Sequence, residues 1–435
     1  MSSLGKAGLA VIVFAVIIWV GCNEAFRPIV IPIPSPGPDP QNLSRAYALS
    51  NDCVPTCPVP PPGSGIGALT TIDVPGDTVT SVQYGGRGPV DLFVTPGGGL
   101  AFTVNNLDDN LTAISPGNLN TFPATIPLPT GAQPVFAFNP GIGALYVAEP
   151  GRNRVAVISL GTLAMTSEII VGTSPVAIAE PPNGQKVYVV NQGDGTVTVV
   201  RTADNSVLGT IAVGTSPVAA VASSDGRFVF VANEGSNDVT VIDTTNDTTA
   251  LTTIALGASP GCAGQVPCFS ITYDPGLKRV YTANRASNTV SIIRADQPLP
   301  TLPSLLTPAP GIDVTACAGA GASPQQVAVL PDGSRAYVAN AGTDNVCVLD
   351  SLSNTFTKSI ALPVGAAPTS VAASASGTKV YTANPGTQNI SIIATTSDTI
   401  ITSLQSPKAD PNCQDPAPPA APVCSHINPV YVTAQ

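Results

Sequence analysis

Ser174-Pro175-Val176-Ala177-Ile178-Ala179, Lys186-Val187-Tyr188-Val189-Val190-Asn191, Thr196-Val197-Thr198-Val199-Val200 and Val207-Leu208-Gly209-Thr210-Ile211-Ala212-Val213 are four short alternating or β-branched runs. Turns at Pro182-Asn183-Gly184, Gly193-Asp194-Gly195 and Ala203-Asp204-Asn205 separate them. β-Branched residues suit a pleated, half-buried surface and Gly/Asn/Asp clusters end strands, so the segment predicts four antiparallel strands, here A to D in chain order. The B run recurs as Phe102-Thr103-Val104-Asn105, Tyr146-Val147-Ala148-Glu149, Phe230-Val231-Ala232-Asn233, Tyr281-Thr282-Ala283-Asn284, Tyr337-Val338-Ala339-Asn340 and Tyr381-Thr382-Ala383-Asn384. With Tyr188 included, the aromatic residues lie 44, 42, 42, 51, 56 and 44 apart. One such sheet is too small to bury its own faces. Radial stacking of copies does so and leaves few free edges, which predicts an all-β fold, a β-propeller of four-stranded antiparallel blades.

The ends set the number of blades. Leu69 to Asp73 and Thr78 to Val82 read as strands C and D, and Ser44-Arg45-Ala46-Tyr47-Ala48-Leu49-Ser50-Asn51 echoes the B strand at Ser334 to Asn340. Asn428-Pro429-Val430-Tyr431-Val432-Thr433 matches the start of strand A at Ser174-Pro175-Val176. N- and C-terminal strands would then share one closing blade, giving eight blades, with seven as the alternative.

The B-strand anchor, segments such as Asp238-Val239-Thr240-Val241-Ile242-Asp243 and links such as Gly214-Thr215-Ser216-Pro217 resemble the YVTN-repeat (YncE-like) β-propeller family. The resemblance runs through almost everything after residue 44. It implies the fold and says little about activity, and members are more often seven-bladed.

Lys6 precedes the apolar run Leu9 to Val20, followed by Gly21-Cys22. A short positive region, an apolar core too short to span comfortably and a small residue before the processing point predict a signal peptide over 1–21. Trp19-Val20-Gly21-Cys22 resembles a bacterial lipobox, with Trp19 where Leu is preferred; this implies acylation of Cys22, ordinary cleavage being the alternative. Residues 22–43 then hold the lipid attachment site and a stalk, because the prolines of Pro28 to Pro40 supply no N–H donors. The remaining 44–435 form a single propeller domain. The expected place is an exported lipoprotein facing periplasm or cell surface, monomeric, and tied to the membrane through its lipid.

The chain has 17 Lys+Arg against 27 Asp+Glu, a net charge of −10, which removes the electrostatic footprint of a nucleic-acid binder. The single Trp lies in the signal, which excludes quinone-dependent propeller dehydrogenases with their tryptophan docking motifs. The single His, His426, sits in a Pro-rich segment and reads as a solvated loop residue; it leaves no Ser-His-Asp arrangement or multi-histidine metal site within the blades. No cofactor and no metal are expected.

Besides Cys22, the cysteines are Cys53, Cys57, Cys262, Cys268, Cys317, Cys347, Cys413 and Cys424. An even count in an exported chain points to disulfides, three local and Cys317–Cys347 as a longer fourth. In an antiparallel blade the B–C turns and D–A links share one rim. The insertions around Cys53–Cys57, Cys262–Cys268, 295–323 and 405–428 are all expected on that rim, making it the candidate working surface.

Asn105, Asn191, Asn233, Asn284, Asn340 and Asn384 end strand B and read as turn caps; Tyr188, Phe230 and Tyr337 read as interblade packing. Asp108, Asp109, Asn110, Asp194 and Asp238 offer oxygen ligands without EF-hand spacing and read as solvated turn residues. Departures from the repeat mark candidate binding positions. Glu149 replaces the strand-B Asn and Arg152 follows it; Arg87 and Arg285 belong to the same rim. Two residues after the strand-A Pro, Ala177 and Ala219 give way to Asp91, Phe136, Gln326, Ser370 and Tyr431, which are placed around the mouth of a central channel or else are ordinary surface variation. The leading expectation is a non-catalytic cell-envelope binding or scaffold propeller whose partner is an envelope protein or glycan. The competing one is a hydrolase resembling propeller lactonases, using Glu149, Arg152 and Arg285; a purely protein-contact subunit of an extracellular complex is the third.

Overall fold

The computed structural model describes residues 45–51, 67–95, 98–116, 123–139, 143–261, 270–295, 301–309, 311–407 and 429–434. Among these, the strands form eight antiparallel sheets, the blades of a β-propeller. Blade one is Pro89–Val94, Ala101–Asn105, Asn110–Ile114 and Ala124–Pro127; blade two is Phe136–Phe138, Ala144–Glu149, Arg154–Ser159 and Ala164–Ile170. Blade three is Pro175–Ala179, Lys186–Asn191, Thr196–Arg201 and Val207–Ala212; blade four is Pro217–Ala222, Phe228–Asn233, Asp238–Asp243 and Thr252–Ala255. Blade five begins Ile271–Asp274, Arg279–Asn284 and Thr289–Arg294. Blades six and seven are Pro324–Val329, Arg335–Asn340, Asn345–Asp350, Thr355–Ala361 and Ser370–Ala373, Lys379–Asn384, Asn389–Ala394, Thr399–Gln405.

Blade eight closes the ring. Its innermost strand Pro429–Ala434 pairs with Arg45–Asn51, followed by Gly67–Asp73 and Thr78–Gly85, with Tyr431 opposite Leu49. Closure is sealed on both sides. Ala46, Ala48, Ile72 and Val432 pack with Tyr381, Ala383, Ile390 and Ile392 of blade seven, while Tyr47, Leu49, Leu69 and Tyr431 pack with Leu92, Val94, Ala101 and Ile114 of blade one.

The strand-B aromatics are fully buried between blades, as the repeat predicts: Tyr188 joins a cluster with Val218, Val221 and Phe230 of blade four, and Tyr337 one with Val371 and Val380 of blade seven. Alternate residues face the two neighbouring blades, so each β-branched run supplies two half-cores.

A second contact joins blades at the A–B and C–D rim. The cation that opens strand B reaches the C–D turn of the next blade: Lys186 to Asp247 at 2.7 Å, Arg335 to Asp398 at 2.8 Å and Lys379 to Asp77 at 2.6 Å. Arg279 makes the equivalent contact with Ser351 O and Asn354, and Tyr146 replaces the cation in blade two, bonding Asn205.

Blade five corrects the expected placement of residues 295–323. Its fourth strand is split into Ser304–Leu305 and Ile312–Asp313, both paired with Thr289–Arg294. Residues 301–303 therefore precede strand D on the rim of the C–D turns, and the expectation that 295–323 lies wholly between strand D and the next strand A fails there. Only 314–323 is a D–A link, carrying the one α-helix among the described residues, Thr315–Ala318, which is bonded through Ala318 O to Asn345 Nδ2.

The Cys317–Cys347 disulfide is present. Cys22, Cys53, Cys57, Cys262, Cys268, Cys413, Cys424 and His426 lie outside the described residues, as do residues 1–43, where a signal peptide and stalk are expected.

Candidate functional site

The rim of B–C turns and D–A links is built from two recurring clasps. In the first, the Asn ending strand B is fully buried and its Nδ2 donates to the first and third side chains of strand C: Asn191 to Thr196 and Thr198, Asn233 to Asp238 and Thr240, Asn284 to Thr289 and Ser291, Asn384 to Asn389 and Ser391, Asn105 to Asn110 and Thr112. These asparagines are thus clamps between strands B and C. In the B–C turns the left-handed conformations belong to Asp109, Asn153, Asn237, Asn288, Asp344 and Gln388. Blade six departs from the pattern: Cys347 holds the third position, and Asn340 donates to Asn345 and to Val338 O.

In the second clasp, a polar side chain of the B–C turn accepts N–H groups of a D–A link. Asp108 takes Arg87 N at 2.8 Å, Asp109 takes Gly131 N and Gln133 N, Asp194 takes Thr173 N and Asp344 takes Gly365 N and Ala367 N. Asp108, Asp109 and Asp194 are therefore link anchors, and Asp238 and Asn110 belong to the Asn clamp. The expectation of merely solvated turn residues is corrected, because their acceptors satisfy link donors that no strand partner reaches. Among the described residues no cluster of His, Cys, Asp and Glu suits a metal ion.

Blade two breaks the first clasp at three places together. Glu149 replaces the Asn, Arg154 the first strand-C residue and Ala156 the third. Glu149 is fully buried and neither carboxylate oxygen accepts a hydrogen bond. Arg152 Nε lies 3.7 Å from Glu149 Oε2, itself buried and without a partner, while Nη2 bonds both carboxylate oxygens of Glu168 at 2.9 and 3.2 Å. Arg154 Nε stands 3.9 Å from Glu168 Oε2. Burial pushes the Glu149 carboxyl up to about 7; Glu168 and Asp109 add to the rise, and Arg152 and Arg154 oppose it.

The turn Pro150–Arg152 places Arg152 by a 3₁₀ turn that ends at Asn153 in the left-handed region. Gly151 is required there: a Cβ would stand 2.1 Å from Gly131 O of the link beneath it.

Glu149 and Arg152 are thus brought together, and Arg285 is not. Arg285 belongs to the B–C turn of blade five, where its Nε bonds Ser323 Oγ at 3.0 Å. Arg87 is paired with Asp108 at 2.6 Å. Glu168 and Arg154 were missed by sequence reasoning. The simultaneous loss of the Asn and of the strand-C hydroxyl in one blade is the signal that marks them.

Register makes Asp91, Phe136, Ala177, Ala219, Ser270, Gln326, Ser370 and Tyr431 equivalent: each faces the same point of its strand B. All are buried, so these positions are neither surface variation nor an exposed mouth. Three hold the innermost strand of the next blade: Asp91 Oδ2 accepts Ala137 N at 2.9 Å, Gln326 Oε1 accepts Val371 N at 3.0 Å and Ser370 Oγ accepts Val432 N at 3.3 Å. Asp91 Oδ1 also takes Leu92 N at 2.8 Å. Desolvation pushes the Asp91 carboxyl up to about 7 against the opposing pull of these two N–H groups.

The sequence model of a family described as lactonase, seven-bladed β-propeller, matches residues 202–305, less than half of the chain and outside the blade-two cluster. No curated protein matches the sequence. The fold is similar to dihydro-heme d1 dehydrogenase NirN in complex with DHE (TM-score 0.61, 12% identity, 82% of this chain and 72% of that one). It is also similar to apo AztD from Citrobacter koseri (0.57, 13%, 90% and 98%) and to a putative 6-phosphogluconolactonase from Bacteroides fragilis NCTC 9343 (0.52, 15%, 75% and 97%). At these identities the likeness is one of fold alone.

Proposed function

We propose that this chain is a non-catalytic binding propeller of the cell envelope, held to a membrane by an acyl group on Cys22, and that it engages its partner through the rim of B–C turns and D–A links at blade two. The observation that carries the reading is the blade-two cluster. Packing is served in blades one, three, four, five and seven by an Asn and a hydroxyl, and nothing in the fold requires a buried carboxylate there with both oxygens unpartnered. Such a group is costly to keep unless something uses it. Arg152 and Glu168, both partly exposed, give it a polar edge on the rim.

The test is capture of cross-linked envelope glycans and proteins by the full chain and by the triple variant Glu149→Asn, Arg154→Thr, Ala156→Thr, which installs the clasp of the other blades. Loss of a specific captured species in the variant is expected; identical capture would refute the site. Mass spectrometry of Cys22 tests the anchor.

The match to the lactonase family favours a second reading, hydrolysis of a lactone. A carboxyl near 7 suits a general base at neutral pH, and Arg152 beside it suits a developing oxyanion. Arg285 would take no part. Turnover of a lactone panel that vanishes in Glu149→Gln would establish this reading over the first.

A further inference from the structure

Cys347 stands where blades one, three, four, five and seven carry the hydroxyl that completes the Asn clamp, as Thr112, Thr198, Thr240, Ser291 and Ser391. Its sulfur is bonded instead to Cys317 of the D–A link. Asn340 therefore lacks the usual third-position acceptor: Nδ2 keeps Asn345 Oδ1 at 2.9 Å and turns its other hydrogen on Val338 O of its own strand. Cys347 Sγ is 3.9 Å from that same Asn345 Oδ1, so the sulfur lies beside the amide that clamps strand C elsewhere. A thiol accepts hydrogen bonds weakly and a thiolate strongly. Cys347 thus has two partners within reach and holds one at a time.

Each partner fixes a different part. Bonded to Cys317, Cys347 holds the helix Thr315–Ala318 on blade six, with Asn345 Nδ2 to Ala318 O as a second tie. Both ends of the link are secured independently. Ser323 Oγ accepts Arg285 Nε, Ser323 N donates to Asn288 Oδ1 and Ala322 O accepts Gly342 N. Val314 is buried and its N–H donates to Asn288 O. Loss of the disulfide therefore frees 315–321 between two pinned ends. The sulfurs also differ in access, Cys347 being fully buried and Cys317 half-buried.

We propose that Cys317–Cys347 is a thiol-operated switch in which Cys347 exchanges the link for the Asn340 clamp. A dithiol attacks the accessible Cys317 Sγ; the S–S bond breaks, its electron pair passes to Cys347 Sγ, and Asn340 Nδ2 donates to the departing sulfur, which then takes a proton. The second thiol of the reductant displaces Cys317, so the dithiol leaves oxidised to its disulfide and the chain holds two thiols. Oxidised, the helix is locked on the rim. Reduced, strand C of blade six is clamped as in the five other blades and 315–321 is released. The switch is independent of the binding reading at blade two.

The experiment follows reduction of the full native chain by dithiothreitol, with thiols trapped by iodoacetamide and located by mass spectrometry. Asn340→Ala should slow appearance of the Cys317 and Cys347 thiols about threefold or more, because the buried leaving sulfur loses its donor. Two further variants test the clamp without any redox step. Cys317→Ser with Cys347→Thr should have an unfolding constant about threefold or more below that of Cys317→Ser with Cys347→Val, and adding Asn340→Ala to both should abolish the difference. In Cys317→Ser alone, under oxidising conditions, hydrogen exchange should rise about tenfold or more over 315–321 and stay unchanged at Arg335–Asn340 and Asn345–Asp350. A reduction rate that does not fall in Asn340→Ala, equal stability of the Thr and Val variants, or exchange that rises equally in the blade-six strands would each overturn the switch.

Discussion

Lys379 Nζ of blade seven lies 2.6 Å from Asp77 Oδ1 of blade eight, a contact between residues 302 positions apart that ties the last continuous blade to the strands that open the domain. Lys379 also donates to Val74 O. The same latch recurs at Lys186–Asp247 and Arg335–Asp398, where the second blade is continuous in the chain; in blade eight the strands within 45–85 are held to the chain coming from blade seven through pairing with Pro429–Ala434.

Lys379→Ala should therefore lower stability by about 1–3 kcal/mol, between the values for exposed and buried ion pairs, because both partners are largely covered. The loss should exceed that of Lys186→Ala. Urea unfolding of both variants checks this, and equal losses would mean that the closing junction has no special weight.

Two carboxyls titrate near neutrality, Asp91 and Glu149, both raised by burial to about 7. The folded state holds their protons more tightly than the unfolded chain does. Their contribution is greatest below the ordinary carboxylate range and is lost as pH rises through about 7, so stability should fall between pH 5 and pH 8. Glu149→Gln should flatten that fall in part, and Asp91→Ala, which copies the residue of blades three and four, should flatten it further. Melting temperatures across the range measure both.

Gly386→Ala should destabilise by about 2 kcal/mol or more, because the new Cβ would stand 1.9 Å from Gly365 O and the backbone must move. Gly161→Ala meets only Ser159 Oγ at 3.8 Å and should be neutral or stabilise by about 0.5 kcal/mol. Denaturant midpoints of the two variants would contradict this if their order were reversed.

Reduction of Cys317–Cys347, or Cys317→Ser, should cost about 2–4 kcal/mol, given the 30-residue separation the bond closes. Hydrogen exchange should rise first at Thr315–Ala318, the short helix that the bond holds against blade six. Exchange that rises uniformly would show that the bond stabilises only the unfolded-state balance.

The triple variant that restores the Asn clasp in blade two should melt higher than the native chain by about 1–3 kcal/mol of stability, since it removes a buried unpaired carboxylate and adds two hydrogen bonds. A lower melting temperature would mean that Glu149 is structurally required.

The closing blade was readable because Tyr47 and Pro429 carry the repeat's own markers into the two ends. The split strand of blade five was not. Pro298, Pro300, Pro303, Pro308 and Pro310 erase the alternation, and each half pairs through only two residues. Glu149 stood out as a departure from Asn, whereas Glu168 lies on the variable outer strand, where nothing distinguishes one polar residue from another. Arg285 was grouped with Glu149 because a repeat reveals which rim a residue occupies and leaves its angular separation around the ring unstated. The buried positions Asp91, Gln326 and Ser370 were recognised as departures, but their hydrogen bonds to the next blade emerge only from register.

Because Pro429–Ala434 is the innermost strand of the blade begun by Arg45–Asn51, the wheel stays an open arc until residues 429–434 have left the ribosome. Until then Tyr47 and Leu49 present a bare edge and an uncovered apolar face. A newborn chain of this design is most vulnerable to sticking to its neighbours just before the strand 429–434 arrives, which makes a chaperone's grip on residues 45–51 most valuable during synthesis.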